Sequence, residues 1–226
     1  YKRQPNIVQY RDSGETIING RKFAFIVFEY ISGETTAQFL ARKGECSVYD
    51  AKAIVIGVLN GLKFLHSLPE PIIHNEITLQ NVMMDVTTSP VTPKIIDFGY
   101  ARYLEQGSRA FNKNGLSPFY LASEALNGVF SVKSDIYSAG AVLFNLIFGI
   151  PPYFVELADC KGDVNLQRER IDAQRELPLH FPKTDKFELD EDLLNIMRKA
   201  LASDIEDRFE SADEFINCLL YTSDAA

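Results

Sequence analysis

The sequence lacks a long apolar run, a cysteine framework and an excess of positive charge. Its most apolar stretch, AGAVLFNLIFGI, stops at Pro151 and Pro152 and is too short to cross a bilayer, which predicts a core helix and no membrane segment. The three cysteines, Cys46, Cys160 and Cys218, are far apart, which predicts reduced thiols in a cytoplasmic protein. The net charge of −8 argues against nonspecific binding to nucleic acid.

What is present is an α+β pattern, with strands early in the chain and helices late. Two β-rich runs flank Asn19-Gly20, which is a hairpin signal, and NVMMDV and PKIIDF are typical of short strands. Apolar residues then recur at helical spacing in several segments, and polar residues suited to N-caps precede three of them. The segments are SVYDAKAIVIGVLNGLKFLHS after Ser47, SVKSDIYSAGAVLFNLIFG, DVNLQRERIDAQR, DEDLLNIMRKAL after Asp190 and SADEFINCLL after Ser211.

Two short motifs place oxygen ligands near strand ends. In KIIDFGYA, Asp97 follows an apolar strand and precedes Phe98 and Gly99, so its carboxylate is suited to a metal ion on a nucleotide's phosphates. Upstream, IIHNEITLQN carries Glu76 five residues before Asn81, which is the spacing of a catalytic carboxylate and an amide metal ligand. Either motif alone also fits an ordinary turn.

Further motifs follow in a fixed order and complete a resemblance. LSPFYLASEAL, SDIYSAGAVLFNLIFGIPPYF and DIEDRFESADEF come after DFG, and QPNIVQY and FIVFEYISG come before it. In this order the chain resembles the serine/threonine protein kinases from about residue 4 to residue 217. The resemblance implies a protein-kinase-like α+β fold, with residues 1–31 as the fourth and fifth strands and hinge of an N-terminal lobe. Residues 32–217 would form a mostly helical C-terminal lobe.

The resemblance also implies ATP and Mg²⁺ as cofactors and a protein substrate or a regulated partner domain. Phe28 would be the gatekeeper, backbone groups of Glu29 and Ile31 would face the adenine, and Met83 would lie beneath it. Glu76 would be the catalytic carboxylate, and Asn81 and Asp97 would bind the metal.

Structural roles follow from the same resemblance. Asp135 would accept hydrogen bonds from the catalytic-loop backbone, and Arg208 would form an ion pair with Glu124. His74 and Phe98 would stack in the core, with Gly99 completing the DFG motif. His66 is interpreted as an ordinary surface or packing residue.

Four positions depart from the family pattern. Asn75 replaces an arginine that pairs with a phosphorylated activation segment, so that switch is expected to be absent. Glu76 replaces aspartate, and the added methylene moves the carboxylate by roughly 1 Å, a displacement that can cost about 100-fold. Thr78 replaces a lysine whose positive charge steadies the transferring phosphate. Losing this charge is expected to reduce the rate by a similar factor. Ser117 replaces a threonine that contacts the catalytic carboxylate and keeps its hydroxyl, which favours serine or threonine as acceptor.

The ends of the chain lead to a further expectation. No G-x-G-x-x-G, third-strand lysine or partner glutamate is found, which predicts a fragment that is inactive by itself. CLLYTSDAA, residues 218–226, matches one translated frame of a common transposon-end sequencing adapter, so these residues are expected not to be natural sequence; a native final helical turn is the alternative. For the intact protein two functions stay open, a kinase with an atypical catalytic loop and a pseudokinase that acts as a nucleotide-sensing or scaffolding module.

Overall fold

Short strands precede a set of helices, which confirms the α+β organisation. The computed structural model describes residues 4–44, 46–106, 116–183 and 189–222, so residues 223–226 of the expected adapter segment lie outside the description. In chain order the strands and helices are β1 (Tyr10–Ile18), β2 (Arg21–Phe28), β3 (Gly33–Thr35), α1 (Thr36–Lys43), α2 (Val48–His66), β4 (Ile72–Ile73), β5 (Val82–Asp85), β6 (Thr92–Ile95), β7 (Arg102–Tyr103), α3 (Ser123–Leu126), α4 (Val132–Phe148), α5 (Val164–Arg175), α6 (Glu191–Ala200) and α7 (Ala212–Tyr221).

The predicted hairpin is formed by β1 and β2, which pair antiparallel. Asn19 and Gly20 connect them with φ of 50° and 76°, the left-handed values that a two-residue hairpin turn requires. Asparagine and glycine tolerate these values, which explains why this dipeptide marks the turn. Along both strands nearly every residue is exposed.

A second sheet has the order β3-β5-β6 and is antiparallel throughout. Residues before the hairpin join its edge, because Ile7 forms a parallel bridge with Ile95 and Val8 N–H donates to the Ile95 carbonyl at 2.9 Å. A separate pair, β4 with β7, fixes the start of the loop at residues 74–81 beside the chain that follows Asp97.

The helices begin largely where polar caps predict. Ser47 accepts a hydrogen bond from the Asp50 N–H at 3.0 Å, and Asp190 and Ser211 cap α6 and α7 in the same way. Helix α1 is an addition to the predicted set, and it starts with a capping box between Thr35 and Gln38.

Helix α4 forms the centre of the core and is buried from Ser134 to Ile147. It packs against α2 and α6, and α2 also packs against α7. Gly140 permits the close approach to α6, because a Cβ there would lie 2.7 Å from the Cβ of Ala200. The apolar run is therefore the predicted core helix, and no helix among the described residues is long and apolar enough to cross a membrane.

The last helix includes part of the segment expected to be artefactual. Helix α7 continues through Tyr221, Leu219 is fully buried, and the Lys52 side chain donates to the Thr222 carbonyl at 3.2 Å. The non-natural origin of residues 218–226 remains a prediction, because these contacts concern packing and not origin.

Candidate active site

His74 opens the loop at residues 74–81 and is completely buried. Its Nδ1 accepts from the Glu76 N–H at 3.3 Å, and its Nε2 lies 3.3 Å from the Ile96 carbonyl. Burial lowers the pKa of His74, although the nearby Asp135 carboxylate acts in the opposite direction. A neutral ring with the proton on Nε2 satisfies both contacts.

The same ring joins this loop to the DFG motif. The ring centroids of His74 and Phe98 are 4.9 Å apart with an interplanar angle of 69°, which is an edge-to-face contact. The two rings therefore pack together as expected, and their geometry is edge-to-face. The edge contact lets the His74 ring keep both of its hydrogen bonds.

Asp135, in the first turn of α4, holds the backbone of the loop. Its Oδ2 accepts from His74 N–H at 2.8 Å and its Oδ1 accepts from Asn75 N–H at 2.9 Å. These are the contacts expected from the sequence. His66 Nε2 lies 2.9 Å from the same Oδ2, so this histidine, interpreted from the sequence as an ordinary surface or packing residue, also contacts the side chain that holds the loop. The sequence carries no local signal for this contact, because the two residues are 69 positions apart.

Asn75, the residue expected to stand in place of the family arginine, connects the loop to the chain that follows Asp97. It is buried, adopts φ of 67°, and its side-chain amide donates to the Tyr100 carbonyl at 2.9 Å. Tyr100 follows the DFG motif directly, so a neutral hydrogen bond links the loop to the start of the activation segment. Asparagine is among the few residues that accept the left-handed conformation.

Glu76 and Asn81 lie close together within the loop at residues 74–81. Burial raises the pKa of the Glu76 carboxyl, the Asp97 carboxylate raises it further, and the Asn81 side chain opposes both. Glu76 Oε2 is buried and has no hydrogen-bond partner among the described residues. The Asn81 amide nitrogen donates to the Glu76 carbonyl at 2.9 Å, which leaves the amide oxygen as the ligand atom.

Asp97 lies at the other side of the same site. It follows β6, is exposed, adopts φ of 60°, and accepts from the Gly99 N–H at 3.0 Å through one carboxylate oxygen. Asn81 is fixed beside it, because Ile96 N–H donates to the Asn81 carbonyl at 2.9 Å. The structure thus brings Glu76, Asn81 and Asp97 into one site.

The donor set fits Mg²⁺ better than it fits a transition metal. No three His, Cys, Asp or Glu residues cluster as metal ligands within the described ranges. Asp97 and Asn81 supply one carboxylate and one amide oxygen, and Mg²⁺ in phosphotransfer sites is bound through few protein oxygens together with substrate phosphates and water.

A narrow crevice lies beside Glu76. Glu76, Thr78, Leu116 and Ser117 are among the residues that line it, and Thr78 is buried. Ser117, the residue expected to contact the catalytic carboxylate, therefore lines the same crevice as Glu76.

At the end of β2, where the sequence predicts contacts with adenine, an ion pair holds Glu29, the residue after Phe28. Phe28 ends β2 and is 39% exposed, whereas Ile31 is buried. The Glu29 N–H donates to the Gln9 carbonyl at 2.8 Å, and the Glu29 carboxylate accepts from Lys94 Nζ at 2.7 Å.

Lys94 connects this carboxylate to the sheet below. Its Nζ is also 3.4 Å from Asp85 Oδ2. Burial raises the pKa of Glu29, but the Lys94 ammonium and the Gln9 N–H outweigh burial and hold that pKa below its usual range. Met83 lies on β5 opposite Lys94 in the strand register.

A groove of about 610 Å³ also borders Glu29 and Lys94, and its other lining residues are Phe64, Gln4, Pro5 and residues 7–11. None of Glu76, Asn81 and Asp97 lines it. The groove is therefore separate from these three residues.

Glu124 and Arg208 form the expected ion pair with two hydrogen bonds. Arg208 Nη1 donates to Glu124 Oε1 at 2.6 Å and Nη2 donates to Oε2 at 3.0 Å. Arg208 is buried, its guanidinium also donates to the Ala202 carbonyl at 2.8 Å and the Ser203 carbonyl at 3.1 Å, and it lies 4.9 Å from the Tyr137 ring centroid. This ion pair has a structural role, distinct from the role expected for Glu76, because it anchors the end of the activation segment to the helical core.

The arrangement agrees with comparisons to known proteins. A family model described as "Protein kinase domain" matches residues 1–218. The chain is 28% identical over 220 residues to a probable serine/threonine-protein kinase PknB of Bifidobacterium longum, covering 93% of this chain and 30% of the relative. It is 33% identical over 200 residues to the serine/threonine-protein kinase ATG1a of Arabidopsis thaliana, covering 87% of this chain and 29% of the relative.

The chain therefore belongs to the eukaryotic-like serine/threonine protein kinase family, and its α+β fold is the protein kinase fold. A third relative, the serine/threonine-protein kinase PknB of Mycobacterium leprae, is 29% identical over 93% of this chain and 32% of its own length. The chain thus spans about a third of the length of these curated relatives.

Proposed function

We propose that the protein transfers the terminal phosphoryl group of ATP, with Mg²⁺, to serine or threonine hydroxyls of proteins. The observation that carries this proposal is the convergence of Glu76, Asn81 and Asp97 at the mouth of a loop whose backbone is held by Asp135. Phosphoryl transfer depends mainly on positioning and electrostatics, and a fixed loop supplies the positioning.

The proposed roles follow from the available atoms. Glu76 Oε2 has no other partner among the described residues, so it is free to accept the proton of the attacking hydroxyl. Asn81 and Asp97 would hold Mg²⁺, which when bound neutralises charge on the phosphates. Ser117, which lines the same crevice as Glu76, would limit where the acceptor can bind.

The adenine would be bound on the other side, between the strand end and the sheet. Phe28, the Glu29 and Ile31 backbone and Met83 would contact it. The ion pair of Glu29 with Lys94 supports this proposal, because it fixes the backbone that the base would contact. The three unpaired cysteines support a reducing compartment, and so the cytoplasm, as a further proposal.

A pseudokinase is the second candidate, and one observation favours it. The carboxyl of Glu76 has a raised pKa in a half-buried position, and Thr78 offers no cation to offset this. A half-buried carboxylate without a neighbouring lysine would slow transfer and leave nucleotide binding intact. Its output would then be a conformational change passed to a partner domain.

Radiolabelled ATP, Mg²⁺ and a generic protein acceptor distinguish these functions in the full-length protein. The proposal expects phosphate transfer by the wild type and loss of transfer in Asp97→Ala. The surface variant Asp213→Ala is the matched control, because this carboxylate is about half exposed and pairs only with Lys63 in the described structure. Nucleotide binding that needs no metal and leads to no transfer would instead support the pseudokinase.

A further inference from the structure

Residues 116–122, termed here the acceptor segment, are held by side chains from two helices. Ser138 on α4 donates to the Tyr120 carbonyl at 2.7 Å. Arg175 on α5 donates through Nη2 to the Pro118 carbonyl at 2.7 Å and to the Leu121 carbonyl. The backbone of the acceptor segment, which lines the crevice beside Glu76, is therefore held largely by side chains of the two helices.

Arg175 is an unusual anchor, because it is a buried cation with mostly neutral partners. It is the last residue of α5, is 3% exposed, and its Nε donates to the Tyr137 hydroxyl at 3.0 Å. Its guanidinium also lies 5.5 Å from the Tyr137 ring centroid. The carboxylate that approaches it, Asp172 Oδ1, is 3.4 Å away on a side chain that is 44% exposed.

Burying the Arg175 guanidinium with so little opposite charge nearby costs free energy. An apolar side chain of similar volume commonly packs such a position without loss of stability. A planar fork, however, can satisfy two carbonyls and a hydroxyl at fixed angles, which an apolar side chain or a lysine cannot. The geometry is suited to holding the acceptor segment in one position.

We propose that Arg175 is a positioning residue that fixes the acceptor segment to α5 and thereby sets binding of the protein acceptor, while leaving nucleotide binding unaffected. This inference rests on the proposed kinase function. It deepens that function, because it assigns control of the acceptor side of the site to a helix that contributes no ligand to Asp97 or Asn81. Arg175 touches neither the reacting atoms nor the metal ligands.

The test compares Arg175→Met and Arg175→Lys with Arg170→Met in the full-length protein. Arg170 is the matched control, because it lies on the same helix, is exposed, and its side chain donates to the Asp159 carbonyl at 3.2 Å and not to the acceptor segment. The measurements are KM for an acceptor peptide, KM for ATP, and hydrogen–deuterium exchange of the backbone.

For Arg175→Met, the expected result is a rise in acceptor KM on the order of 10- to 100-fold, the effect of losing hydrogen bonds from a charged group. KM for ATP should stay within about twofold. Exchange should rise in residues 117–121 and stay unchanged in residues 74–81. Arg175→Lys should give an intermediate acceptor KM, because lysine keeps the charge and loses the fork, and Arg170→Met should match the wild type.

Three outcomes overturn the inference: an unchanged acceptor KM, an equal rise in both KM values, or increased exchange throughout the protein, which would indicate general unfolding. Absence of transfer by the wild type would instead refute the proposed function. In that case hydrogen–deuterium exchange alone tests whether Arg175 anchors the acceptor segment. Unchanged exchange in residues 117–121 of Arg175→Met rules out the anchoring role, and a local rise supports it.

Discussion

Replacing Asp135 with asparagine tests the frame of the catalytic loop. The carboxylate accepts from two backbone N–H groups, those of His74 and Asn75, and also contacts His66, and Asp135 itself has no solvent exposure. Asparagine preserves the shape but presents one amide NH₂ where an acceptor stood, so two donors face each other. Hydrogen bonds to a charged group contribute about 1.5–3 kcal/mol each, and disrupting a buried charged partner typically costs about 3–5 kcal/mol.

We therefore expect Asp135→Asn to lower the free energy of unfolding by about 3–5 kcal/mol. Urea unfolding followed by far-ultraviolet circular dichroism measures this, and fluorescence is less suited because the chain has no tryptophan. At a typical urea dependence for small proteins the midpoint falls by about 1 M or more.

The matched control is Asp213→Asn. Asp213 forms a 2.6 Å pair with Lys63, with side chains 52% and 50% exposed, and such surface pairs contribute about 0–1 kcal/mol. If Asp135→Asn were no more destabilising than Asp213→Asn, the hydrogen bonds to His74 and Asn75 would not hold the loop, and the proposed positioning of Glu76 would lose its physical basis.

Three further predictions concern charges near the site. Folding raises the pKa of Glu76, so ionisation of this carboxyl lowers the free energy of unfolding as the pH rises above its ordinary pKa of 4.5. Glu76→Gln should therefore raise the urea midpoint at pH 7, and a lower midpoint would contradict this. Burial lowers the pKa of His74 below the ordinary 6.5. The unfolded chain therefore takes up the proton first, and the free energy of unfolding falls as the pH drops below about 6.5. Proton NMR should show His74 titrating below that value, and titration above it would refute the assignment of a neutral ring. Lys94→Met leaves Glu29 and Asp85 without their shared cation and should cost about 1–3 kcal/mol in urea unfolding, whereas an unchanged midpoint would show that the network adds no stability.

Local signals in the sequence predicted the fold well where they were strong. Ser47 and Ser211 mark helix starts because their hydroxyls accept backbone N–H groups, and Asn19-Gly20 marks a turn because both residues tolerate left-handed angles. Helix α1 was missed because it has eight residues and lies between short strands, so its periodicity is brief. Strands of two residues, such as β4 and β7, have no alternation to detect.

The site was predictable only in part, for a physical reason. Glu76, Asn81 and Asp97 were identified by the order and spacing of motifs along the chain. Their supporting contacts join residues far apart, as with His66 and Asp135, 69 positions apart, and Arg175 and Pro118, 57 positions apart. No local pattern encodes such partners, because they depend on how the helices pack.

The structure separates the frame of the catalytic loop from its chemistry. The frame uses main-chain atoms, namely the N–H groups of His74 and Asn75 on Asp135 and the Asn81 N–H, which donates to the Thr78 carbonyl at 3.1 Å. These bonds use main-chain atoms of the loop, so the replacements at 76 and 78 leave them in place, and asparagine at 75 accepts the left-handed backbone conformation at its position. Those replacements act on the side chains that an acceptor and a phosphate would meet. Under the proposed function, the loop therefore keeps its backbone hydrogen bonds while the rate of transfer would depend on the position of a single carboxylate, that of Glu76.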